Sequence, residues 1–190
     1  MDRKLLFEHP ILRIEEVEGF PGGPRLIAHR GRFAAIALSL HAPPQEEQFL
    51  VVMQYRVAAR EVFYEHPAGM VDAGETPVET ALRELAEETG WLLTITDLTP
   101  LTPPEGIYPS PAVWDEVGHF YAARLQVPEA VLQAYRCMVE RQFENEKLRL
   151  TVIPGKVLLS HTRNLQTIAH TYLYYAHFGA PDGGLPSPAT

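Results

Sequence analysis

The segment from Thr76 to Gly90 constrains the fold of this chain more than any other part of the sequence. Thr76 can cap a helix, Pro77 suits the first turn, and Glu79 stands three residues after the cap, as a capping box requires. Gly90 is placed to end the helix, because glycine adopts the left-handed conformation that a helix C-terminus favours. The sequence therefore predicts a helix over residues 76–89, with both ends set by local chemistry.

One edge of this predicted helix carries two carboxylates. The apolar residues of the helix share a stripe about 100° wide, formed by Val78, Ala81, Leu82 and Leu85. Glu84 and Glu88 are four residues apart, so they stack one turn apart against the edge of that stripe. Two such carboxylates repel each other, and a hard divalent cation between them removes the repulsion. The spacing therefore indicates a Mg²⁺ site beside the Gly-rich loop at residues 67–74, where substrate phosphate oxygens would complete the ligand set.

The negative charge of the chain is concentrated around the same helix. The 190 residues contain 16 Lys+Arg and 24 Asp+Glu, a formal net charge of −8. Six of the acids and one base, Arg83, fall between Asp72 and Glu88. An acidic chain binds nucleic acid only through a local basic stripe, and the sequence shows none. We therefore expect no nucleic-acid partner, and we expect an anionic ligand to be held through metal ions or a few well-placed arginines.

The cysteine content and the hydropathy pattern bear on location. Cys137 is the one cysteine, which excludes an internal disulfide and a cysteine-based zinc site and is typical of a reducing compartment. Residues 1–8 lack the apolar core of a signal peptide, and no apolar run reaches 18 residues. We expect a cytoplasmic protein without a membrane partner.

The remainder of the chain alternates short predicted strands with two further helices. Strands are predicted at residues 11–17, 25–40, 49–53, 61–66, 117–123 and 148–153, and helices at 128–141 and 163–178. There is no internal repeat and no linker that divides the chain. The pattern favours one α+β domain with a strand-rich N-terminal segment.

The spacing around the acidic helix resembles the Nudix box. Gly69, Glu75, the Arg83-Glu84-Leu85 triplet, the Glu87-Glu88 pair and Gly90 follow one another at the intervals of that motif. The flanks resemble the branch of that superfamily that contains ADP-ribose pyrophosphatases and nucleoside-diphosphate-sugar hydrolases. They are Gln54-Tyr55-Arg56, Glu65-His66-Pro67-Ala68-Gly69, Tyr108-Pro109-Ser110-Pro111, Asp115-Glu116 and Glu144-Asn145-Glu146.

The resemblance implies a fold and a division of the chain. The fold is an α/β/α sandwich around a mixed sheet. Residues 1–40 would form N-terminal strands that take part in dimerisation, residues 41–180 the Nudix hydrolase domain, and residues 181–190 a flexible tail. Enzymes of this branch are commonly homodimers that pair through their N-terminal strands, so a homodimer is expected here.

The resemblance also implies a reaction and its ligands. A Mg²⁺-dependent pyrophosphohydrolase, with Mn²⁺ as a substitute, would cleave the diphosphate of ADP-ribose or a similar nucleoside diphosphate sugar to a nucleoside monophosphate and a sugar phosphate. The implied metal ligands are the Ala68 carbonyl, Glu75, Glu84, Glu87 and Glu88. Arg83 would orient these carboxylates by ion pairing, with Glu79 and Glu87 available four residues away. Substrate would meet Arg56, Glu65 and Tyr108.

The general base is open among three carboxylates. Enzymes of the branch carry it on a loop before a late strand, and Glu144 matches that position best, followed by Glu146, with Glu116 third. The chain also departs from the branch at three positions: Ala112 stands where glycine is usual, His66 where leucine is common, and Trp91 where an aliphatic residue is usual. These departures bear on substrate identity.

Two alternatives remain at this point. The first is a Nudix-fold sensor that binds a nucleotide without cleaving it, although such modules often lose box glutamates and this chain keeps them all. The second is a Nudix enzyme for GDP-mannose, dinucleoside polyphosphates, NADH or FAD, because base selection depends on loop contacts.

Overall fold

A computed structural model describes residues 2–143, 146–180 and 184, and the side chains of residues 143, 146 and 147 are not described. The described residues form eleven strands and four α-helices. The strands are β1 (Arg3–His9), β2 (Leu12–Val17), β3 (Arg25–His29), β4 (Arg32–His41), β5 (Gln48–Arg56), β6 (Glu61–Glu65), β7 (Ala68–Met70), β8 (Thr99–Pro100), β9 (Val117–Gln126), β10 (Val139–Phe143) and β11 (Glu146–Pro154). The helices are α1 (Pro77–Thr89), α2 (Glu129–Arg136), α3 (Gly155–His161) and α4 (Leu165–Phe178).

The strands form two sheets. The small sheet has the order β1-β2-β3 and is antiparallel. The large sheet has the order β10-β11-β5-β4-β9-β8, with β6 paired to β5 and β7 paired to β4. Because β4 and β9 run parallel while the other pairs are antiparallel, the large sheet is mixed.

Strand β4 is buried on both faces, which places helices on both sides of the large sheet. Ile36 and Leu38 pack in the same cluster as Leu85 of α1. Ala37, one residue away and therefore on the opposite face, packs with Tyr174 of α4. The predicted α+β sandwich around a mixed sheet is confirmed.

Two predicted elements differ from the structure. The predicted strand over 25–40 is divided at Gly31, whose φ of +84° is accessible to glycine, so β3 joins the small sheet and β4 the large one. The predicted helix over 128–141 ends at Arg136, the chain reverses at Met138 with φ of +50°, and β10 pairs with β11. Residues Val139–Phe143 form a ladder of hydrogen bonds with β11 there, and helical propensity takes no account of such a distant partner.

The predicted division of the chain stays a prediction. The small sheet ends at His29, and the predicted tail over 181–190 lies outside the described residues apart from residue 184. Within the described part of the chain, no helix has the length and apolar character needed to cross a membrane.

Candidate active site

Helix α1 is fixed at both ends as its sequence predicts. The backbone N–H of Thr76 donates to Glu79 Oε2 at 2.8 Å, and the Glu79 N–H donates to the Thr76 hydroxyl, which completes the capping box. Gly90 ends the helix in the left-handed conformation, with φ of 81°. Ala81 and Leu85 are fully buried against the large sheet. These contacts set the rotation of α1, and with it the edge on which its carboxylates lie.

Strand β7 lies directly against that edge. An ideal β-carbon on Gly69 would stand 1.8 Å from Oε1 of Glu84, so a side chain at residue 69 would displace the carboxylate. The Ala68 N–H donates to Oε2 of Glu88 at 3.3 Å. Strand β7 and the two stacked glutamates are therefore one packed unit.

Burial makes the charged forms of Glu84 and Glu88 unfavourable. Desolvation raises the pKa of Glu88 to about 8, and the neighbouring charge of Glu84 adds to that rise. Desolvation also raises the pKa of Glu84, although the Arg83 guanidinium opposes the shift. Two partly desolvated carboxylates one helical turn apart form a site that a cation stabilises.

Arg83 forms ion pairs with several carboxylates around the site. Its guanidinium donates to Glu75 Oε1 at 2.9 Å, to Glu84 Oε1 at 2.8 Å and to Glu87 Oε2 at 2.9 Å. Hydrogen bonds with Arg83 lower the pKa of Glu75 to about 2. The expected contact with Glu87 is present. Glu79 makes none with Arg83 among the described contacts, because its carboxylate closes the capping box and Glu75 takes the guanidinium instead.

The residues present fit a hard divalent cation. Glu84 and Glu88 supply carboxylate oxygens, which are ligands that Mg²⁺ prefers. Among the described residues, no group of three or more His, Cys, Asp or Glu converges in a geometry that would hold a metal by itself. Magnesium uses one or two carboxylates together with substrate phosphate oxygens, which is compatible with that finding. The ligand set of Ala68, Glu75, Glu84, Glu87 and Glu88 stays a prediction.

A cleft of about 740 Å³ opens beside this unit. Its wall includes Ala68 and Gly69 on one side and the start of α4 on the other. Arg56 lies in the cleft and donates through Nε to both Glu65 oxygens, at 3.0 and 3.1 Å. Asn164 donates to Glu65 Oε1 at 2.8 Å. Two of the three predicted substrate-binding residues, Arg56 and Glu65, are therefore held together in the cleft.

The third predicted substrate-binding residue lies elsewhere. Tyr108 is 58% exposed and lines a separate groove of about 330 Å³ together with Trp114 and Ile27. Its neighbours Pro109 and Ser110 do line the cleft. The contact of Tyr108 with substrate stays a prediction.

Of the three candidates for the general base, Glu116 is the one whose side chain the structure describes. Glu144 lies outside the described residues, and Glu146 begins β11 without a described side chain. Glu116 lines the cleft, lies 3.5 Å from Arg30, and has a pKa that desolvation raises. The geometry therefore brings Glu116 to the cleft and leaves the choice among the three open.

Sequence reasoning missed four polar or charged residues that line the cleft, namely Arg30, Arg163, Asn164 and Gln166. Asn164 caps α4 by accepting from the N–H groups of Gln166 and Thr167, a signal that was readable in the sequence. No local pattern places Asn164, at the start of a helix, beside Glu65, which lies 99 residues earlier in β6. Only the packing of α4 on the sheet does so.

The sandwich fold and this acidic helix place the chain in the Nudix class. The family model described as the NUDIX domain matches residues 32–147, which is more than half of the chain, and the protein belongs to that family. The resemblance in the sequence is confirmed. Nudix hydrolases generally use divalent metal ions.

Three proteins illustrate what the chain is similar to. It is 37% identical over 123 residues to the ADP-ribose pyrophosphatase of Bacillus subtilis (strain 168), covering 62% of this chain and 60% of that protein. It is 33% identical over 124 residues to the methanol dehydrogenase activator of Bacillus methanolicus, covering 60% of this chain and 57% of that one. A crystal structure of an ADP compounds hydrolase has the same fold, with a TM-score of 0.66, 17% identity and 94% coverage of both chains. The chain thus spans about 60% of the length of these two curated relatives.

Proposed function

We propose that this protein is a Mg²⁺-dependent pyrophosphohydrolase that cleaves the diphosphate of ADP-ribose or a similar nucleoside diphosphate sugar. The observation that carries the proposal is the desolvated Glu84–Glu88 pair, packed against Gly69 at the wall of a cleft that also holds Arg56. The 37% identity to a protein named ADP-ribose pyrophosphatase supports the substrate class. Mn²⁺ is the expected substitute ion.

Different residues of the chain have different roles in the proposed reaction. Bound Mg²⁺ would neutralise the diphosphate and lower the pKa of the attacking water. Glu84 and Glu88 would hold the ion with the Ala68 carbonyl, Glu75 and Glu87, and Arg83 keeps three of these carboxylates in place.

Arg56 would bind a phosphate oxygen of the substrate, because its guanidinium is already oriented by Glu65 within the cleft. A carboxylate base, Glu144, Glu146 or Glu116, would take one proton from water as the new P–O bond forms and the bridging P–O bond breaks. The products are a nucleoside monophosphate and a sugar phosphate.

A hydrolysis panel tests the proposal. ADP-ribose, GDP-mannose, a dinucleoside polyphosphate, NADH and FAD are each incubated with wild type, with and without Mg²⁺. Glu88→Gln is expected to lower kcat/KM by about 10²-fold or more, equivalent to about 2.7 kcal/mol of barrier. Glu79→Gln is the matched control, because glutamine also completes a capping box and residue 79 lies away from Arg83.

Three outcomes of the panel would change the proposal. If wild type cleaves none of the substrates, the proposed activity is wrong. If Glu88→Gln stays within threefold of wild type, the metal site is assigned to the wrong residues. Preference for another substrate in the panel would replace ADP-ribose with that compound.

We also propose a homodimer that pairs through the small sheet. Strand β1 is the edge of that sheet, and it exposes Leu5, Leu6 and Phe7 by 45–50% each. An exposed apolar edge strand is a surface to which another strand can pair.

A regulatory role is the second candidate, favoured by the 33% identity to a protein named methanol dehydrogenase activator. A nucleotide sensor would bind a compound of the panel without cleaving it. Saturable binding of ADP-ribose by wild type together with no turnover in Mg²⁺ would favour this role over the enzyme.

A cytoplasmic location is the third part of the proposal. It is supported by Cys137, the one cysteine of the sequence, which is exposed and free in the structure. Cell fractionation with an antibody to the protein tests it.

A further inference from the structure

His66 is a buried histidine between β6 and β7. Its ring packs edge-on against Phe49, with centroids 5.3 Å apart, and against His170, at 4.7 Å. Its Nε2 lies 2.9 Å from the hydroxyl of Thr171. Because that hydroxyl donates its hydrogen to the Thr167 carbonyl at 2.8 Å, it accepts from His66, and Nε2 carries the proton.

The other ring nitrogen of His66 then needs a donor. In the neutral ring, Nδ1 is an acceptor when Nε2 carries the proton. His66 is 4% exposed, and Nδ1 has no hydrogen-bond partner among the described residues. Buried polar atoms in native proteins nearly always have a partner, in the protein or in an ordered water molecule.

A small cavity with both polar and apolar walls adjoins His66. Its volume is about 30 Å³, which is room for one water molecule. Glu65, Arg56, Asn164 and Gln166 also line it, and these four residues line the cleft as well. The cavity therefore lies directly behind the predicted phosphate-binding residue.

Glu65 is the group that connects the cavity to Arg56. Its buried carboxylate already accepts three hydrogens, from Arg56 Nε, Arg56 Nη2 and Asn164 Nδ2. A carboxylate has about four acceptor positions, so the carboxylate can accept a further hydrogen. One water molecule has two hydrogens, enough for His66 and Glu65 together.

We propose that a buried water molecule in this cavity donates to His66 Nδ1 and to the Glu65 carboxylate, which makes His66 a positioning residue for Arg56. The water fixes Glu65, and Glu65 fixes the guanidinium that faces the cleft. The functional part rests on the proposed function, in which Arg56 binds substrate phosphate.

Two substitutions test the roles of the two ring nitrogens of His66 separately. In His66→Asn, Oδ1 stands as many bonds from Cα as Nδ1, so an acceptor toward the cavity is kept and the bond to Thr171 is lost. In His66→Gln, the amide nitrogen stands at the position of Nε2. The bond to Thr171 is therefore kept, and the acceptor toward the cavity is lost. Thr171→Val removes the partner of Nε2 alone and serves as the control for a purely structural role.

The experiment combines crystallography with steady-state kinetics. Crystals of wild type and His66→Asn are expected to show a water molecule within hydrogen-bond distance of residue 66 and Glu65, and crystals of His66→Gln are not. The KM for ADP-ribose is expected to rise about fivefold or more in His66→Gln and to stay within twofold in His66→Asn. The kcat of both is expected to stay within twofold of wild type, because no reacting group changes. Thr171→Val is expected to lower the melting temperature and to leave KM unchanged.

Two results would overturn the proposal. One is a wild-type crystal in which the cavity holds no water, or in which the Gln166 amide donates to Nδ1. The other is the same KM in both His66 variants. The crystallographic result is independent of turnover, so a wild type that hydrolyses nothing would refute the proposed function while the water site is still decided.

Discussion

The carboxylate of Glu84 occupies the space that a side chain at Gly69 would need, with Oε1 1.8 Å from the ideal β-carbon position. The two residues are 15 positions apart, on α1 and on β7, and their contact joins the helix to the loop before it. Glycine is required at residue 69 because the Glu84 carboxylate lies so close to its backbone. It is not required there for a left-handed backbone conformation. This contact explains why a residue without a side chain opens the motif.

Substitution of Gly69 therefore tests the site directly. Gly69→Ala is expected to push the Glu84 carboxylate aside and to raise the Mg²⁺ dissociation constant about tenfold or more, which is about 1.4 kcal/mol of binding. The melting temperature of the metal-free protein is expected to change little, because the displaced group is the end of a flexible side chain. Calorimetric titration with Mg²⁺ and thermal unfolding measure the two effects.

The matched control for that variant is Gly155→Ala. A β-carbon there would stand 1.8 Å from the hydroxyl oxygen of Tyr175, within the core under α4. This variant is expected to lose thermal stability and to keep Mg²⁺ affinity. If both alanine variants lose stability and neither loses affinity, Glu84 is not a ligand.

The identity of the general base is testable by kinetics. Glu144→Gln is expected to lower kcat by about 10²-fold or more with little change in KM, because it removes proton transfer and leaves binding intact. Glu140→Gln is the control, since Glu140 is an exposed acid on the neighbouring strand that pairs with Arg149. An unchanged kcat in Glu144→Gln would direct the search to Glu146 and Glu116.

Because His170 is buried, the free energy of unfolding depends on pH. Its Nε2 donates to the Tyr121 carbonyl at 2.8 Å, its ring stacks on Phe120, and burial lowers its pKa from 6.5 to about 4. Between these two pH values the unfolded chain binds a proton that the folded chain does not, so the contribution of His170 to stability falls as pH falls through 6.5 and levels off near 4. From pH 7.5 to pH 5 the loss is about 2 kcal/mol.

His170→Gln measures that contribution, since the glutamine amide can still donate to the carbonyl. Urea unfolding at pH 7.5 and pH 5 is expected to show a smaller acid-induced loss in the variant than in wild type, by about 2 kcal/mol. His177→Gln, at an exposed position on the same helix, is expected to behave as wild type. Equal pH dependence in all three proteins would mean that His170 is not protected from protonation.

The small sheet leads to a prediction about assembly. Phe7 is 49% exposed on edge strand β1, and Phe7→Lys places a charge on that apolar surface. Sedimentation velocity is expected to give a dimer for wild type and a monomer for the variant. Ile11→Lys is the control, because Ile11 is exposed but lies in the turn after β1. A monomeric wild type would remove the dimer from the proposed function.

The sequence by itself determined the features that depend only on residues close together in the chain. The limits of α1 follow from the Thr76–Glu79 capping box and from Gly90, and the edge that carries Glu84 and Glu88 follows from helical geometry. The Nudix spacing identified the family, because the motif lies within one short stretch of chain.

The tertiary structure alone decided the features that depend on distant residues. The pairing of Arg83 with Glu75 in place of Glu79 depends on where the capping box leaves each carboxylate. The change from a predicted helix to strand β10 depends on an open edge of β11, which no local propensity reports. The placement of Asn164 and His66 behind Arg56 depends on how α4 packs on the sheet. Local hydrogen bonds and periodicity act over a few residues, whereas burial and pKa are set by neighbours that only the folded chain brings together.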